Sequence, residues 1–186
     1  MNPPIASSEL QQLADRIHAG QIILYPTDTV RWIGWDATNI KVIKRIIELK
    51  HRSLSKTMIC LVHPDWIGRY TSYDVVWSYQ KLDQYDVPTT LVVPILLGVL
   101  PEEMVREWTI AVRIPWSCDY LMSLLALLGK PLISTSANIS WHRTPSRYED
   151  IELSIIRSVD WVAPPSRDTG THQSSRLIGV DGQVLR

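Results

Sequence analysis

Thr27, Asp28 and Thr29 are polar residues that directly follow an apolar run and a proline in the segment LYPTDTV. The run predicts a buried strand that ends at Pro26, and the ends of strands in α/β sheets are common places for ligands. Arg113 lies in a second apolar segment, TIAVRIP, where a cation would be costly to bury without a partner. Hydroxyl, carboxylate and guanidinium groups together can bind a small polar molecule, although Arg113 can equally form a structural ion pair.

Two tryptophans in the next segment, Trp32 and Trp35, raise a question about the space at this site. A loop that binds a ligand favours small residues, because these let the ligand approach the backbone closely. We interpret the segment as a ligand-binding loop that is either open or filled by the two indole rings.

Basic residues are concentrated between positions 41 and 56, around the end of a predicted helix. Six cations stand against one carboxylate, a local charge of +5 in a chain of zero net charge: Lys41, Lys44, Arg45, Lys50, Arg52 and Lys56 against Glu48. Several cations together can bind a polyphosphate, and arginine adds a planar fork of donors. A solvated helix end whose cations favour the helix dipole explains the same pattern.

A third polar cluster follows another apolar run, in the segment STSANIS at positions 134–140. Its hydroxyl and amide groups offer donors and acceptors at the tip of a predicted strand, where an α/β sheet commonly binds its ligand. A capped turn into the next segment is the alternative interpretation.

The composition is that of an ordinary globular protein without a strong field for nucleic acid or an anionic membrane. The 186 residues are 45% hydrophobic, and Lys and Arg balance Asp and Glu at 19 each. No apolar run reaches the roughly 18 residues that span a bilayer, and the N-terminal segment lacks a signal-peptide pattern. We therefore expect a cytoplasmic protein with no membrane partner. Cys60 and Cys118 are too few for a disulfide framework or a zinc site, and we expect buried or half-buried thiols.

Alternating helices and strands must position these polar clusters. Apolar periodicity predicts helices over 7–20, 39–50, 119–129 and 148–159, and a weakly patterned helix over 64–85. Short apolar runs predict strands over 21–26, 57–64, 89–94, 109–115 and 131–137, and Asp181-Gly182 predicts a closing hairpin over 174–186. No linker or internal repeat interrupts this order. We predict one α/β domain over residues 1–186, with a twisted mixed sheet flanked by helices.

Four ordered motifs give the chain a resemblance to a known family. The segments YPTDTV…GWDATN, ELKHRSLSKTMICLV, AVRIP and KPLISTSANIS resemble, in this order, the motifs of the YrdC/Sua5 family. The resemblance runs from about residue 8 to the C-terminus and corresponds to the short, single-domain form. It implies a YrdC-like fold and a threonylcarbamoyl-AMP synthase activity.

That activity would join L-threonine, bicarbonate and ATP into threonylcarbamoyl-AMP and pyrophosphate, with Mg²⁺ on the phosphates. The product would serve the N6-threonylcarbamoyl modification of adenosine 37 in tRNA. The resemblance therefore implies ATP, L-threonine and bicarbonate as substrates, and tRNA or tRNA-modification proteins as partners.

The resemblance also assigns roles to residues that match the family motifs. The implied ATP site draws on basic, hydroxyl and amide side chains: Lys50, Arg52, Lys56, Ser136, Asn138 and Ser174. The implied catalytic residues are its Lys-x-Arg and Ser-x-Asn pairs: Lys50, Arg52, Ser136 and Asn138. The threonine substrate would bind at Thr27, Thr29 and Arg113. Thr90 matches a further family threonine, and no side chain is assigned to a metal.

Five residues depart from the family pattern, in a chain with eight tryptophans, eight glycines and no phenylalanine: Arg31, Trp32, Trp35, Trp108 and Trp141. Glycine near such positions permits a positive φ or a close approach of the ligand, so the tryptophans predict an impaired activity. Two other hypotheses stay open. One is a nucleotide- or RNA-binding relative without catalysis, and the other is an engineered or diverged scaffold.

Overall fold

One mixed sheet contains all eight strands that lie within the described residues. The computed structural model describes residues 7–50, 58–75, 88–96, 100–102, 105, 107–145, 147–163, 174–179 and 181–185. The strands are β1 Ile23–Tyr25, β2 Trp32–Asp36, β3 Ile59–Leu61, β4 Thr89–Pro94, β5 Thr109–Arg113, β6 Leu132–Ser136, β7 Trp161–Val162 and β8 Arg176–Ile178. Their order is β7-β1-β2-β6-β3-β5-β4-β8, with parallel pairs β1–β7, β3–β5 and β4–β8. The predicted mixed α/β sheet is confirmed.

Four α-helices of the described residues flank the sheet: α1 Ser7–His18, α2 Ile40–Leu49, α3 Asp119–Leu128 and α4 Leu153–Ser158. Asn39 caps α2, because its side chain accepts hydrogen bonds from the backbone N–H groups of Lys41 and Val42. Gly129 follows the last turn of α3 with a φ of 66°, a left-handed conformation that glycine adopts without strain. Local chemistry therefore determines both of these helix ends.

Alternate residues of β2 face two separate cores, one on each side of the sheet. Trp32 shares a buried cluster with residues of α1 and α3, whereas Ile33 and Trp35 share one with residues of α2 and α4. Gly34 lies against the Tyr25 ring, since a Cβ at this glycine would be 2.5 Å from Tyr25 Cε1. The strand is therefore a central element of the fold.

The position of β2 corrects the interpretation of residues 32–36 as part of a ligand-binding loop. The strand pairs antiparallel with β1 on one side and with β6 on the other. All five of its residues are buried, so it lacks the alternation of polar and apolar side chains that marks a half-exposed strand.

Asp36 ends β2 as an ionised group inside the fold. Burial alone would raise the pKa of this carboxyl group, but hydrogen bonds from Lys130 and Thr38 hold its pKa below the ordinary value. Lys130 Nζ lies 2.8 Å from Asp36 Oδ2, and Thr38 Oγ1 lies 2.6 Å from Oδ1. The ion pair lets a carboxylate occupy a buried strand.

Two helix predictions are wrong in part. Over 148–159, a short 3-10 helix at Tyr148–Asp150 is separated from α4 by two extended residues, Ile151 and Glu152. Ile151 is buried in the core on the α2 side, and the extended step accommodates it there. Over 64–85, the described residues contain a 3-10 helix at Pro64–Arg69, and positions 76–85 lie outside the described residues.

Other predictions hold where the chain is described. Ile178 forms an antiparallel bridge with Val184, and Gly182 has a φ of 81°, so the closing hairpin is present. Cys60 is buried and Cys118 is half-buried, and burial raises the pKa of both thiols. Within the described residues, no helix combines the length and the apolar character that a membrane span requires.

Candidate functional site

The guanidinium group of Arg113 lies at the centre of a buried polar cluster. Arg113 is 1% exposed, and its Nη2 donates to Asp28 Oδ2 at 2.5 Å. Its Nη1 lies 3.5 Å from Thr29 Oγ1, and Ser117 Oγ donates to the same Asp28 oxygen at 2.9 Å. We call these four residues the Arg113 cluster. The cation in the apolar strand is thus paired, and its partner comes from the segment that follows β1.

Thr27 and Thr29 order that segment. Thr27 Oγ1 lies 2.8 Å from Thr29 Oγ1, accepts a hydrogen bond from Thr29 N at 3.0 Å, and donates to Val30 O at 2.8 Å. Both threonines are buried. Their hydrogen bonds form a turn that holds Asp28 beside Arg113.

A second polar cluster surrounds Lys50, which follows α2 and is 1% exposed. Its Nζ donates to the carbonyl oxygen of Ser136, and its own carbonyl oxygen accepts from Ser140 N at 3.0 Å. Ser136 Oγ donates to Asn138 Oδ1 at 2.5 Å, and Asn138 Nδ2 donates to His142 O at 2.7 Å. We call Lys50, Ser136, Asn138 and Ser140 the Lys50 cluster.

Trp32 lies between the two clusters. Its backbone pairs with Ser136 across β2 and β6, and its ring centroid is 6.0 Å from Arg113 Cζ. Trp32 therefore connects the two clusters, through its ring to Arg113 and through its backbone to Ser136 of the Lys50 cluster.

Three polar atoms of the two clusters and of Trp32 are buried without a hydrogen-bond partner in the described structure: Asp28 Oδ1, Trp32 Nε1 and Ser140 Oγ. Buried polar groups are nearly always hydrogen-bonded, so each of these atoms needs an explanation. Trp35 Nε1 also lacks a partner, but it belongs to the core on the other side of the sheet. A ligand that brings donors and acceptors to these atoms would satisfy the first three.

The other residues of the predicted site have different positions. Ser174 is exposed, whereas the adjacent Ser175 is buried and its Oγ lies 2.8 Å from Thr90 Oγ1. Arg52 and Lys56 lie outside the described residues. The structure therefore brings Lys50 together with the Ser-x-Asn pair, and Arg113 together with the two threonines. The binding roles of all these residues stay predictions.

Three residues of the clusters have no role assigned by the family resemblance: Asp28 and Ser140, which lie in the predicted polar segments, and Ser117, which does not. Asp28 and Ser117 each follow a predicted strand by two positions, and Ser140 ends the STSANIS motif. This position after a strand is the signal that marks Asp28 in the sequence, and it could also have identified Ser117. The contacts of Asp28 with Arg113 and Ser117 have no local signature, because these partners lie 85 and 89 positions away in the chain.

Over its described positions, 41–50, the basic segment is less available to a polyanion than its charge suggests. Arg45 forms two hydrogen bonds to the Asp160 carboxylate, at 2.8 and 3.0 Å, and a third to Ser158 O at 2.9 Å. Lys50 is buried, whereas Lys41 and Lys44 are exposed. Part of the positive charge therefore binds α2 to the segment between α4 and β7.

Arg31, which departs from the family pattern, also contacts other parts of the fold. It is buried, its Nη1 donates to Ala163 O at 2.9 Å, and its Cζ lies 5.0 Å from the centroid of the Tyr148 ring. These contacts connect the start of β2 to the segments on both sides of α4.

Trp108 and Trp141 adopt a backbone conformation that favours glycine. Their φ angles are 61° and 76°, and their exposed fractions are 67% and 81%. A bulky residue in the left-handed region is strained, which gives a physical reason for glycine near these positions. Because both indoles are largely exposed, neither fills a buried site.

Replacing Trp141 or Trp108 with glycine is expected to raise the free energy of unfolding by about 0.5 to 1 kcal/mol. Relief of about 1 to 2 kcal/mol of left-handed strain is partly offset by the greater freedom of glycine in the unfolded chain. Urea unfolding monitored by circular dichroism measures the change. Trp116→Gly is the matched control: this exposed tryptophan has no positive φ, so the same substitution should lower stability. A loss of stability in all three variants would contradict the strain argument.

Metal ligands are sparse in this part of the fold. The described residues contain no group of three or more His, Cys, Asp or Glu side chains that could hold a metal ion. Mg²⁺ prefers oxygen ligands and often keeps several waters while binding substrate phosphates.

Comparison with known proteins shows one consistent likeness. The Sua5/YciO/YrdC family model, described as "Telomere recombination", matches residues 15–186. A threonylcarbamoyl-AMP synthase of Buchnera aphidicola subsp. Baizongia pistaciae is 30% identical over 186 residues, covering 95% of this chain and 96% of that protein.

Solved structures have the same fold. The crystal structure of P. abyssi Sua5 complexed with L-threonine matches with a TM-score of 0.82 at 22% identity, over 99% of this chain and 55% of that one. The crystal structure of E. coli YciO matches with a TM-score of 0.78 at 21% identity, over 100% of this chain and 90% of that one. The chain thus spans about half the length of the P. abyssi protein and most of the E. coli protein.

Proposed function

We propose a function from one premise: the chain belongs to the Sua5/YciO/YrdC family, whose model matches residues 15–186. The proposed function is a threonylcarbamoyl-AMP synthase, which condenses L-threonine, bicarbonate and ATP into threonylcarbamoyl-AMP and pyrophosphate. The product would supply the N6-threonylcarbamoyl modification of adenosine 37 in tRNA. Relatives named threonylcarbamoyl-AMP synthase support an enzyme of this family, and the matching structure of P. abyssi Sua5 is complexed with L-threonine.

The observation that carries this proposal is the connection of the Arg113 and Lys50 clusters through Trp32. A synthase of this kind must hold an amino acid next to the phosphates of a nucleotide. The Arg113 cluster offers a guanidinium group, and with the adjacent Thr27 it offers two threonine hydroxyls, which suit a carboxylate and a small polar side chain. The Lys50 cluster offers an ammonium group with nearby hydroxyl and amide groups, which suit phosphate oxygens.

The nucleotide would bind at the Lys50 cluster. The Lys50 ammonium group donates to Ser136 O, and its positive charge suits the oxygens of a phosphate. Ser136 Oγ and Asn138 Nδ2 can supply further donors after small rotations, and Ser140 Oγ is already unpartnered. Arg52, Lys56 and Ser174 complete the proposed ATP site by resemblance. Mg²⁺ would arrive with ATP and neutralise part of its phosphate charge.

The proposed reaction needs positioning and charge neutralisation more than a protein nucleophile. The threonine amine adds to the carbon of CO₂ derived from bicarbonate and loses a proton, which leaves a carbamate. A carbamate oxygen then attacks the α-phosphorus of ATP, and the bond from that phosphorus to the bridging oxygen breaks to release pyrophosphate. Lys50 would stabilise charge on the phosphates, and Arg113 would hold the amino acid in line.

Release of pyrophosphate from ATP tests this proposal. The intact protein is incubated with ATP, Mg²⁺, L-threonine and bicarbonate, and threonylcarbamoyl-AMP is identified by mass spectrometry. Pyrophosphate should form only when threonine and bicarbonate are both present. Lys50→Met should slow its release at least about 10-fold, because a charge-assisted contact to the phosphates is lost. The exposed Lys44→Met is the matched control and should leave the rate unchanged. No pyrophosphate at high enzyme concentration would exclude the synthase activity.

Binding of a nucleotide without catalysis is the second candidate function. Trp32 favours it, because a buried indole beside Arg113 occupies space where the family pattern has glycine. A calorimetric titration with ATP, with and without threonine, separates the two candidates. Binding of ATP that threonine does not influence, together with no pyrophosphate, would support the second.

A further inference from the structure

The two oxygens of the Asp28 carboxylate have different environments. Oδ2 accepts from Arg113 Nη2 at 2.5 Å and from Ser117 Oγ at 2.9 Å. Oδ1 is buried and has no hydrogen-bond partner in the described structure. The side chain as a whole is 12% exposed, so solvent reaches it only narrowly. One oxygen of the carboxylate is thus buried away from water without a hydrogen bond that would offset the loss of hydration.

Among the described residues, the groups next to Asp28 do not supply the missing donor. The Thr27 hydroxyl donates to Val30 O, and it also accepts from Thr29 N. Ser117 Oγ already donates to the other oxygen of Asp28. Burial of a charged oxygen without a donor is unfavourable, and such atoms are rare outside functional sites. Asp28 Oδ1 lies in the same cluster as the buried Arg113. A ligand bound at this cluster can therefore supply the missing hydrogen-bond donor.

An amino acid has the complementary pair of groups. Its carboxylate can bind the guanidinium of Arg113, while its amino group, or a hydroxyl on its side chain, can donate to the carboxylate of Asp28. An Arg–Asp pair held side by side therefore presents both charges that an amino acid needs. A nucleotide phosphate would instead be repelled by Asp28, which separates this position from the Lys50 cluster.

We propose that Asp28 is a substrate-binding residue whose Oδ1 accepts a hydrogen bond from the amino acid substrate. The inference rests on the proposed function and adds a residue to its threonine subsite. Arg113 and Ser117 hold the carboxylate through Oδ2 and leave Oδ1 free to select a substrate with a donor in this place. The donor is an N–H or O–H group of threonine, and the two sources are distinguished by the ligands used below.

Calorimetric titration of the intact protein with L-threonine, in the presence of ATP and Mg²⁺, tests the proposal. Asp28→Asn should weaken threonine binding about 10- to 100-fold, because an amide that keeps its oxygen toward Arg113 presents a donor where Oδ1 was. Asp65→Asn is the matched control, since it makes the same change at an exposed carboxylate outside both clusters, and its affinity should stay close to that of the wild type. Equal affinities of Asp28→Asn and the wild type would overturn the proposal.

A ligand series on the unmodified protein gives a test that needs no folded variant. L-Valine lacks the hydroxyl of threonine, and 3-hydroxybutyrate lacks the amine. Weaker binding of valine, by about 10-fold or more, would assign the hydroxyl as the donor, and weaker binding of 3-hydroxybutyrate would assign the amine. Equal binding of all three ligands would overturn the role of Oδ1 while leaving the proposed function intact. No binding of threonine to the wild type would overturn the proposed function and this inference with it.

Discussion

Trp32→Gly is expected to lower the free energy of unfolding by about 4 kcal/mol, rather than to open a substrate site. Trp32 is 3% exposed and shares a buried cluster with Tyr25 and residues of α1 and α3. Its loss leaves a large cavity in a central strand, and glycine adds backbone freedom there. The family pattern alone suggests that glycine at position 32 would restore the substrate site. The packing of Trp32 predicts instead that the substitution removes part of the core.

Urea unfolding of Trp32→Gly and of Trp116→Gly separates these two outcomes. Trp116 is 46% exposed and immediately precedes Ser117 of the Arg113 cluster. Trp116→Gly therefore removes an indole that is near the site but contributes little to the buried core. We expect a loss of no more than about 1 kcal/mol for Trp116→Gly. A Trp32→Gly variant that is as stable as the wild type and binds ATP more tightly would show instead that the indole only obstructs the site.

Arg113→Met is expected to lower the free energy of unfolding by about 3 to 5 kcal/mol, because it leaves the charge of Asp28 buried without its cation. It should also reduce threonine-dependent release of pyrophosphate at least about 100-fold, since a buried contact to the substrate carboxylate is lost. The first effect follows from the ion pair that the structure contains. The second depends on the proposed function.

Two further variants separate the effects of Arg113→Met on stability and on activity. Arg45→Met removes the cation of the half-exposed Arg45–Asp160 pair, and it should cost no more than about 1 kcal/mol with little change in activity. Arg113→Met combined with Asp28→Leu replaces both buried charges with apolar groups and should recover much of the lost stability, but no activity. Recovery of activity in the double variant would contradict a role of this pair in substrate binding.

Much of the local structure could be predicted from the sequence, because short-range chemistry determines it. The periodicity of α1 and α2, the Asn39 cap and the Gly129 helix end all depend on residues within a few positions of one another. The segment after β1 was predicted as polar and functional from its place behind an apolar run. The strand β2 was missed, because a strand that is buried on both faces shows no alternation of polar and apolar residues.

The basic segment shows the limit of charge counting. Its local excess of positive charge is visible in the sequence and suggests a surface that binds polyphosphate. In the structure Arg45 is paired with Asp160, which is 115 positions away, and Lys50 reaches a carbonyl oxygen 86 positions away. Electrostatic interaction falls with distance in space, so residue counts along the chain could not decide which cations remain exposed.

The sequence by itself determined the alternation of helices and strands, the polar segments that follow several strands, and the motifs that indicate the family. Only the tertiary structure decided that Arg113 is paired with Asp28, which is 85 positions away, and that Trp32 packs in a core beside them. Local preferences act over a few residues, so the sequence displays them directly. Burial and ion pairing depend on which strands become neighbours, and that arrangement exists only once the whole sheet has formed.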